Sequence, residues 1–344
     1  MKPKPAMSNI FNGLNASSKK AIGQILRFIK SHNNFLVSAH VRSDGDALGS
    51  QIALNTMLRR MGKNSHAVCD GGVSVEYRFL PGADRVGNSP KDLKKGYDAV
   101  FTVDSGNFER LERIGDALPR DIFKINIDHH ASNDRFGDIN WIEPKFSSTG
   151  EMVYELIKAS GVRVDRDMAT NVYVALVTDT GRFSFSNTSV ASHSRAAELL
   201  SYGVEPSDIT NKLWRNKKLN QLKLLAECIN NIKTAERGKI AWVTLTRKMT
   251  KRHGFVPCET QEYIDIIKSL KSVAIAILFR ETRESNKVKI SFRTDKGIDG
   301  VKLAAKFGGG GHPRASGATI NSNIEYAEMT VVKWAKRFIR NGCR

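Results

Sequence analysis

Two short stretches combine imidazole and carboxylate in patterns that suit metal-assisted hydrolysis. One is His40-x-x-x-Asp44-x-Asp46, inside SAHVRSDGDALGS; the other is Asp128-His129-His130, inside INIDHHASN. Each closes an apolar, strand-like run. Asp104 in VDSGN and Asp179 in VTDTG occupy similar settings. Together these side chains offer enough oxygen and nitrogen atoms for two divalent cations. Mixed imidazole and carboxylate donors favour Mn2+, with Mg2+ or Co2+ as the other fits. Two such ions in one site activate water and clamp a phosphoryl group, so the chemistry expected is hydrolysis of phosphate esters.

Each stretch also has a blander reading. The Asp- and Gly-containing turn after His40 could simply cap a helix, with Asp46 as the N-cap. The Asp128-His129-His130 run could be a partly exposed loop, Asp104 an Asx-type turn and Asp179 a helix-end cap. Each of these needs its own coincidence. A dinuclear site accounts for all four segments together.

The elements that must position these residues are legible as an alternation of strand and helix signals. FLVSA (35–39), HAVC (66–69), YDAVFTVDSGN (97–107) and IFKINIDHH (122–130) read as strands. ALGSQIALNTMLRRMG has Leu48, Ile52 and Leu58 near helical spacing and Gly62 as a stop. STGEMVYELIKASG opens with Ser148, has Glu151 three residues on in a capping-box pattern, and stops at Gly161. A further buried helix over 169–181 ends near Asp179. This alternation predicts an α/β fold with an N-terminal doubly wound, mostly parallel sheet. Such sheets bind ligands beyond the carboxyl ends of their strands, so His40, Asp104 and Asp128 should meet on one rim.

From about residue 238 the pattern changes. Strand-like runs at 239–246, 272–281 and 287–294, with IDGVKLAAKF and EYAEMTVVKWAKRFIR as helices, predict a second, smaller α/β domain. We divide the chain into a catalytic domain at 1–195, a helical connector at 196–235 and a substrate-binding domain at 236–344, with the active site expected in the cleft between the two domains.

Lys and Arg number 54 against 35 Asp and Glu, a formal net charge of +19. That excess favours polyanionic partners, nucleic acid or nucleotides, over a membrane surface. No acidic residue precedes Asp44, whereas Lys2, Lys4, Lys19, Lys20, Arg27, Lys30 and Arg42 do. A transit peptide has such a bias, yet Ile22, Ile25, Leu26 and Ile29 fall at helical spacing and read as a core-docking helix. No secretory apolar region is evident, and the longest apolar run, VAIAILF, is too short to cross a bilayer. Cys69, Cys228, Cys258 and Cys343 are scattered with no C-x-x-C pair, which predicts free thiols in a reducing, cytoplasmic compartment.

One further segment carries a chemical signal. In FGGGGHPRASG (307–317), the backbone N–H groups of Gly309, Gly310 and Gly311 can cradle phosphate oxygens, and His312 and Arg314 are placed to touch a base or a phosphate. Arg293 is a second anion-binding candidate. No Lys-Ser/Thr follows the glycines, so this is not a P-loop.

These segments, in this order, resemble the DHH family of phosphoesterases over nearly the whole chain. The second domain resembles the family's DHH-associated C-terminal domain. Length, layout and GGGGH are most similar to the nanoRNase-type subfamily, whose members degrade very short oligoribonucleotides. Many also dephosphorylate 3′-phosphoadenosine 5′-phosphate, and some cleave cyclic dinucleotides or their linear products. The resemblance implies one ion held by His40, Asp44 and Asp104, and another held by Asp46, Asp104, His129 and Asp179, with Asp104 bridging. It further implies that His130 faces the scissile phosphate, that Asp128 orients the cluster from behind, and that His312 contacts the substrate nucleotide. Short RNA, dinucleotides and nucleotide phosphates are the partners it implies, without a membrane; a homodimer is the default assembly. The family often carries Pro where this chain has Ser43 and Ala where it has Ser316; neither is a ligand position.

Three other readings share some of these features. A manganese-dependent inorganic pyrophosphatase has the first-domain motifs, but GGGGH and the basic balance argue against it. A RecJ-like exonuclease needs a further nucleic-acid-binding domain. A non-catalytic RNA- or nucleotide-binding protein would purify without stoichiometric Mn2+ and would bind longer RNA better than dinucleotides.

Overall fold

The computed structural model describes residues 14–257 and 260–340, so Lys2, Lys4, Cys258 and Cys343 lie outside the described residues. The chain divides into two compact units, with the boundary along the chain between Arg215 and Asn216.

In the first unit, α1 (Ala16–Ser31) leads into β1 (Asn34–Ala39), α2 (Gly45–Arg60), β2 (Asn64–Ala67) and β3 (Ala99–Val103). The short α3 (Arg113–Asp116), β4 (Phe123–Asp128) and β5 (Ile139–Ile142) follow, then α4 (Thr149–Ser160), α5 (Arg166–Asp179), α6 (Val190–Leu200) and α7 (Pro206–Trp214). The basic N-terminal segment does dock as a helix: Ile22, Ile25 and Ile29 on α1 are fully buried.

The strands make a five-stranded sheet in the order β2-β1-β3-β4-β5, and every neighbouring pair is parallel. Side chains alternate across it. Phe35, Val37, Phe101 and Val103 face a large core shared with α1, α2, α4, α5 and α6, while Leu36 and Val100 face a smaller one with Ile114, Leu118 and Ile122. The doubly wound expectation is met, with unequal cover. Crossing from β1 to β3 reverses the direction in which the sheet is built. That switch point is where α/β sheets open a crevice at their carboxyl ends.

The second unit contains α8 (Leu219–Asn230), β6 (Lys233–Ala235), β7 (Ile240–Leu245), α9 (Arg247–Arg252), α10 (Gln261–Lys268), β8 (Ile275–Glu281) and β9 (Val288–Thr294). It ends with α11 (Gly300–Ala305), β10 (Gly310–His312), β11 (Ala315–Ile320) and α12 (Ile324–Arg340). Its six-stranded sheet runs β10-β11-β9-β8-β7-β6 and is antiparallel except for β7 beside β8. One face packs on α11 and α12 through Ile277, Phe279, Ile290 and Phe292; the other packs on α8 and α10 through Ala241, Val243, Ala276 and Leu278. The polar region after residue 190 is helical: α6 and α7 add Leu199 and Ile209 to the first core, and α8 adds Leu224 and Leu225 to the second unit. Cys69 and Cys228 are buried free thiols.

Candidate active site

The strand ends deliver the imidazoles and carboxylates to one place. His40 follows β1, Asp104 follows β3, Asp128 ends β4, and Asp44 and Asp46 open α2. Asp179 is the last residue of α5. His40 Nε2 lies 3.5 Å from Asp104 Oδ2. His129 Nε2 lies 3.8 Å from Asp46 Oδ2, 3.8 Å from Asp104 Oδ1 and 3.5 Å from Asp179 Oδ2. Three overlapping groups of ligand-type atoms result: His40, Asp44 and Asp104; Asp46, His129 and Asp179; and Asp104, His129 and His130. Asp104 is common to two of them, between the His40 and His129 sides.

Backbone and side-chain bonds hold these groups in place. The N-cap of α2 is Asp44, not Asp46: its carboxylate accepts from the amides of Asp46 and Ala47, both at 3.1 Å. Asp46 is released from that duty because the start of α4 claims it. The amides of Thr149 and Gly150 donate to its two oxygens at 2.7 and 2.8 Å, and Ser50 Oγ donates at 3.0 Å. Thr149 Oγ1 donates to Asp104 at 2.9 Å. Asp104 itself has φ of +56°, a left-handed conformation that is unfavourable for a residue with a side chain and clusters at functional sites.

The histidines are oriented from behind. His40 Nδ1 faces the carbonyl of Val41 at 2.8 Å, and His129 Nδ1 faces the carbonyl of Phe146 at 3.2 Å. A carbonyl can only accept, so each Nδ1 carries a proton, and each Nε2 is turned toward the carboxylates. His130 Nδ1 is 2.7 Å from Asp128 Oδ1, and Asp128, fully buried, also accepts from Asn133 Nδ2 at 2.6 Å. Asn187 Nδ2 donates to Asp179 Oδ2 at 3.0 Å.

The electrostatics show an unmet demand for positive charge. Burial raises the Asp46 carboxyl well above its usual range, and the charges of Asp104, Asp179 and Asp44 raise it further. Asp179 is lifted to about 7, by burial first and then by Asp104 and Asp44, against the pull of His129. Asp104 stays ionised: burial opposes its charge, but His40, His130 and His129 more than offset that. For His130, burial opposes the proton, yet the bond to Asp128 and the charges of Asp104, Asp128 and Asp179 lift it to about 9. His129 Nε2 is buried with no hydrogen-bond partner, although three carboxylates surround it. Carboxylates that crowd this closely around an unpartnered imidazole nitrogen fit a divalent cation, which would satisfy His129 Nε2 and the repelling carboxylates together.

In the second unit the structure places the other candidates together on the sheet. Ala315 on β11 is the register partner of His312 on β10 and of Arg293 on β9. The three form one row, so His312 and Arg293 share a face two strands apart, about 10 Å by strand spacing. Arg293 Nε lies 3.8 Å from Asp265 on α10. The glycine run differs from an open nest. Gly310 and Gly311 pair with β11, and the amide of Gly309 is spent on Ala304 O at 3.0 Å. A side chain at Gly311 would sit 2.7 Å from Ala315 O, so the run lets two strands approach closely. Arg314 is exposed in the connecting turn.

Thr149, Gly150, Ser50, Asn133 and Asn187 escaped the sequence reading. Ser148 marked the start of α4, and its side chain does accept from Glu151 N at 3.2 Å, but the Glu151 carboxylate turns to Ser147 N instead of closing the box. Nothing local indicates that the next two amides bind Asp46, about a hundred residues away.

Comparison with known proteins agrees with this geometry. Residues 34–176 match the DHH family, N-terminal domain, and residues 241–341 match the DHHA1 domain. Together with the relatives below, this sets the class: the chain is a phosphoesterase, a hydrolase of phosphoric ester bonds. It belongs to the DHH family, in the form that carries a DHHA1 domain. It is 31% identical to the bifunctional oligoribonuclease and PAP phosphatase NrnA of Bacillus subtilis, over 87% of this chain and 93% of that protein. It is 30% identical to the protein of the same name from Thermus thermophilus, over 88% of each. The solved structure of an exopolyphosphatase-related protein from Bacteroides fragilis has the same fold, with a TM-score of 0.89 at 24% identity over 95% of this chain and 98% of that one. Members of the family use divalent metal ions, and the Asp and His cluster described above suits them. No helix among the described residues is long and apolar enough to cross a membrane.

Proposed function

We propose that the chain hydrolyses short oligoribonucleotides and linear dinucleotides to mononucleotides, and removes the 3′-phosphate of 3′-phosphoadenosine 5′-phosphate. The observation that carries this is the convergence of His40, Asp44, Asp46, Asp104, His129 and Asp179 on one rim, with His130 beside them. The two NrnA relatives supply the substrate class. His40, Asp44 and Asp104 would hold one cation; Asp46, Asp104, His129 and Asp179 would hold the other. Mn2+ suits this donor mixture best, with Mg2+ or Co2+ as substitutes. When bound, the pair supplies Lewis acidity and an acidified water near neutral pH.

The chain's own residues do the rest. Asp128 fixes the His130 ring and keeps it protonated at neutral pH, so the imidazolium faces the developing charge of a phosphoryl group and can return a proton to the leaving oxygen. The amides of Thr149 and Gly150 keep Asp46 aimed at the cluster. His312 and Arg293, on one sheet face, would grip the substrate nucleotide, with Arg314 as a further contact. Cyclic dinucleotides carry the same phosphodiester and belong in the substrate panel. A cytoplasmic enzyme, homodimeric by default, suits the buried free Cys69 and Cys228.

The test is substitution within the cluster. Asp46→Ala and His129→Ala should each nearly abolish turnover of pApA while the protein stays folded by circular dichroism. Retention of most activity in either would refute this ligand set.

A further inference from the structure

The loop that follows Asp179 is strained. Gly181, Arg182 and Phe183 have φ of +53°, +61° and +62°. Three successive left-handed residues, two of them with side chains, are unfavourable and persist only where their surroundings dictate them. Here the surroundings do. The amides of Ser184 and Phe185 donate to Thr180 O at 3.0 and 2.9 Å, and that of Arg182 donates to Val177 O at 2.8 Å. The Arg182 guanidinium lies over the Trp214 ring at 5.2 Å, and the Phe183 ring stacks on His193 at 4.8 Å. Asn187 ties the far end of the loop to both the carbonyl and the carboxylate of Asp179.

This scaffold presents Phe185. Its ring rests on Gly181, two residues beyond Asp179; a Cβ on that glycine would come within 2.5 Å of the ring. Phe185 nevertheless remains 47% exposed, whereas Phe35, Phe101 and Trp141 of the same unit are sealed in the core. An aromatic ring held on this scaffold, against the glycine two residues beyond Asp179 and about half exposed, offers apolar surface to solvent.

We infer that Phe185 is a stacking platform for one nucleobase of the substrate, next to the scissile phosphate. The inference rests on the proposed activity on short oligoribonucleotides. A base on an aromatic face is held without regard to its identity, which suits an enzyme that clears short RNA of any sequence. It also gives nucleosidic substrates a hold that pyrophosphate lacks.

The test compares pApA with two analogues, each with one base replaced by hydrogen, in the Mn2+-loaded enzyme and in Phe185→Ala, Phe185→Leu and Phe185→Trp. The readout is the ratio of kcat/KM for pApA to that for each analogue. The wild-type ratio should be about tenfold or more for one analogue, in keeping with the usual strength of base stacking. Phe185→Ala and Phe185→Leu should collapse that ratio toward one, and Phe185→Trp should keep it. Wild-type ratios in Phe185→Ala for both analogues, or in Phe185→Leu, would overturn the platform while the activity stands. No AMP from pApA with the wild-type enzyme would instead overturn the activity, and the platform with it.

Discussion

The amide of Thr149 donates to Asp46 Oδ2 at 2.7 Å, joining the first turn of α4 to the first turn of α2 across about a hundred residues of chain. Asp46 is buried among other carboxylates, where its charge is opposed. Two amides at a helix start offset that cost and fix the direction of the carboxylate.

Gly150→Ala tests this bond. An added Cβ would lie 2.4 Å from the Ala175 Cβ and 3.4 Å from Asp46 Oδ1. Helix α4 must then move from α5 and carry its amides off Asp46. Metal affinity should fall by about 10- to 100-fold, as when groups supporting a metal ligand are lost. Calorimetric titration with Mn2+ checks this; wild-type affinity would show that Asp46 does not depend on α4.

Asp128→Asn separates orientation from metal binding. Asp128 accepts from His130 Nδ1 and from Asn133 Nδ2. The amide cannot sustain the positive charge on His130, so kcat should drop by about 100-fold while two ions per chain remain by elemental analysis. Loss of metal at the same time would move Asp128 into the ligand set.

How much of this was legible in sequence depends on how far each signal reaches. Strands β1, β3 and β4 are apolar runs that end at charged residues, and α2, α4 and α5 carry their own stops, so the sheet and its rim could be read locally. Strand β2 begins two residues before the run chosen for it. Strand β5, the four residues Ile139–Ile142, has no alternation to mark it, and β10 hides in a glycine run that reads as a loop. Asp44 and Asp46 are the same residue type two apart in one turn. Only the distant amides of Thr149 and Gly150 decide which of them caps the helix. Asn133 and Asn187 reach carboxylates nearby in the chain, but from loops that leave no periodic trace.

The metal-free protein should lose stability as pH rises. Folding lifts Asp179 to about 7 and raises Asp46, against about 4 for an unfolded carboxyl; it also lifts His130 to about 9, against about 6.5. The folded state therefore binds more protons than the unfolded state between about pH 4 and 9, and its stability declines across that window. Asp104, held below the usual range, adds no slope there because it is ionised in both states. Cations compete with those protons, so the rise in Tm on adding Mn2+ should be larger at pH 8.5 than at pH 5.5. An equal rise at both values would mean the cations bind elsewhere.

His312→Ala should act on binding. His312 and Arg293 share a sheet face but belong to the second unit, which among the described residues contributes none of the clustered carboxylates. KM for pApA should rise about tenfold with kcat within about threefold of wild type, the pattern of a lost uniform contact. A large fall in kcat with KM unchanged would make His312 part of the chemistry.

The most direct test of the central claim is product analysis with Mn2+ and a panel of pApA, a longer RNA, 3′-phosphoadenosine 5′-phosphate, cyclic di-AMP and pyrophosphate. The account predicts AMP from pApA and from 3′-phosphoadenosine 5′-phosphate, with slow action on the longer RNA. Turnover of pyrophosphate alone would contradict it.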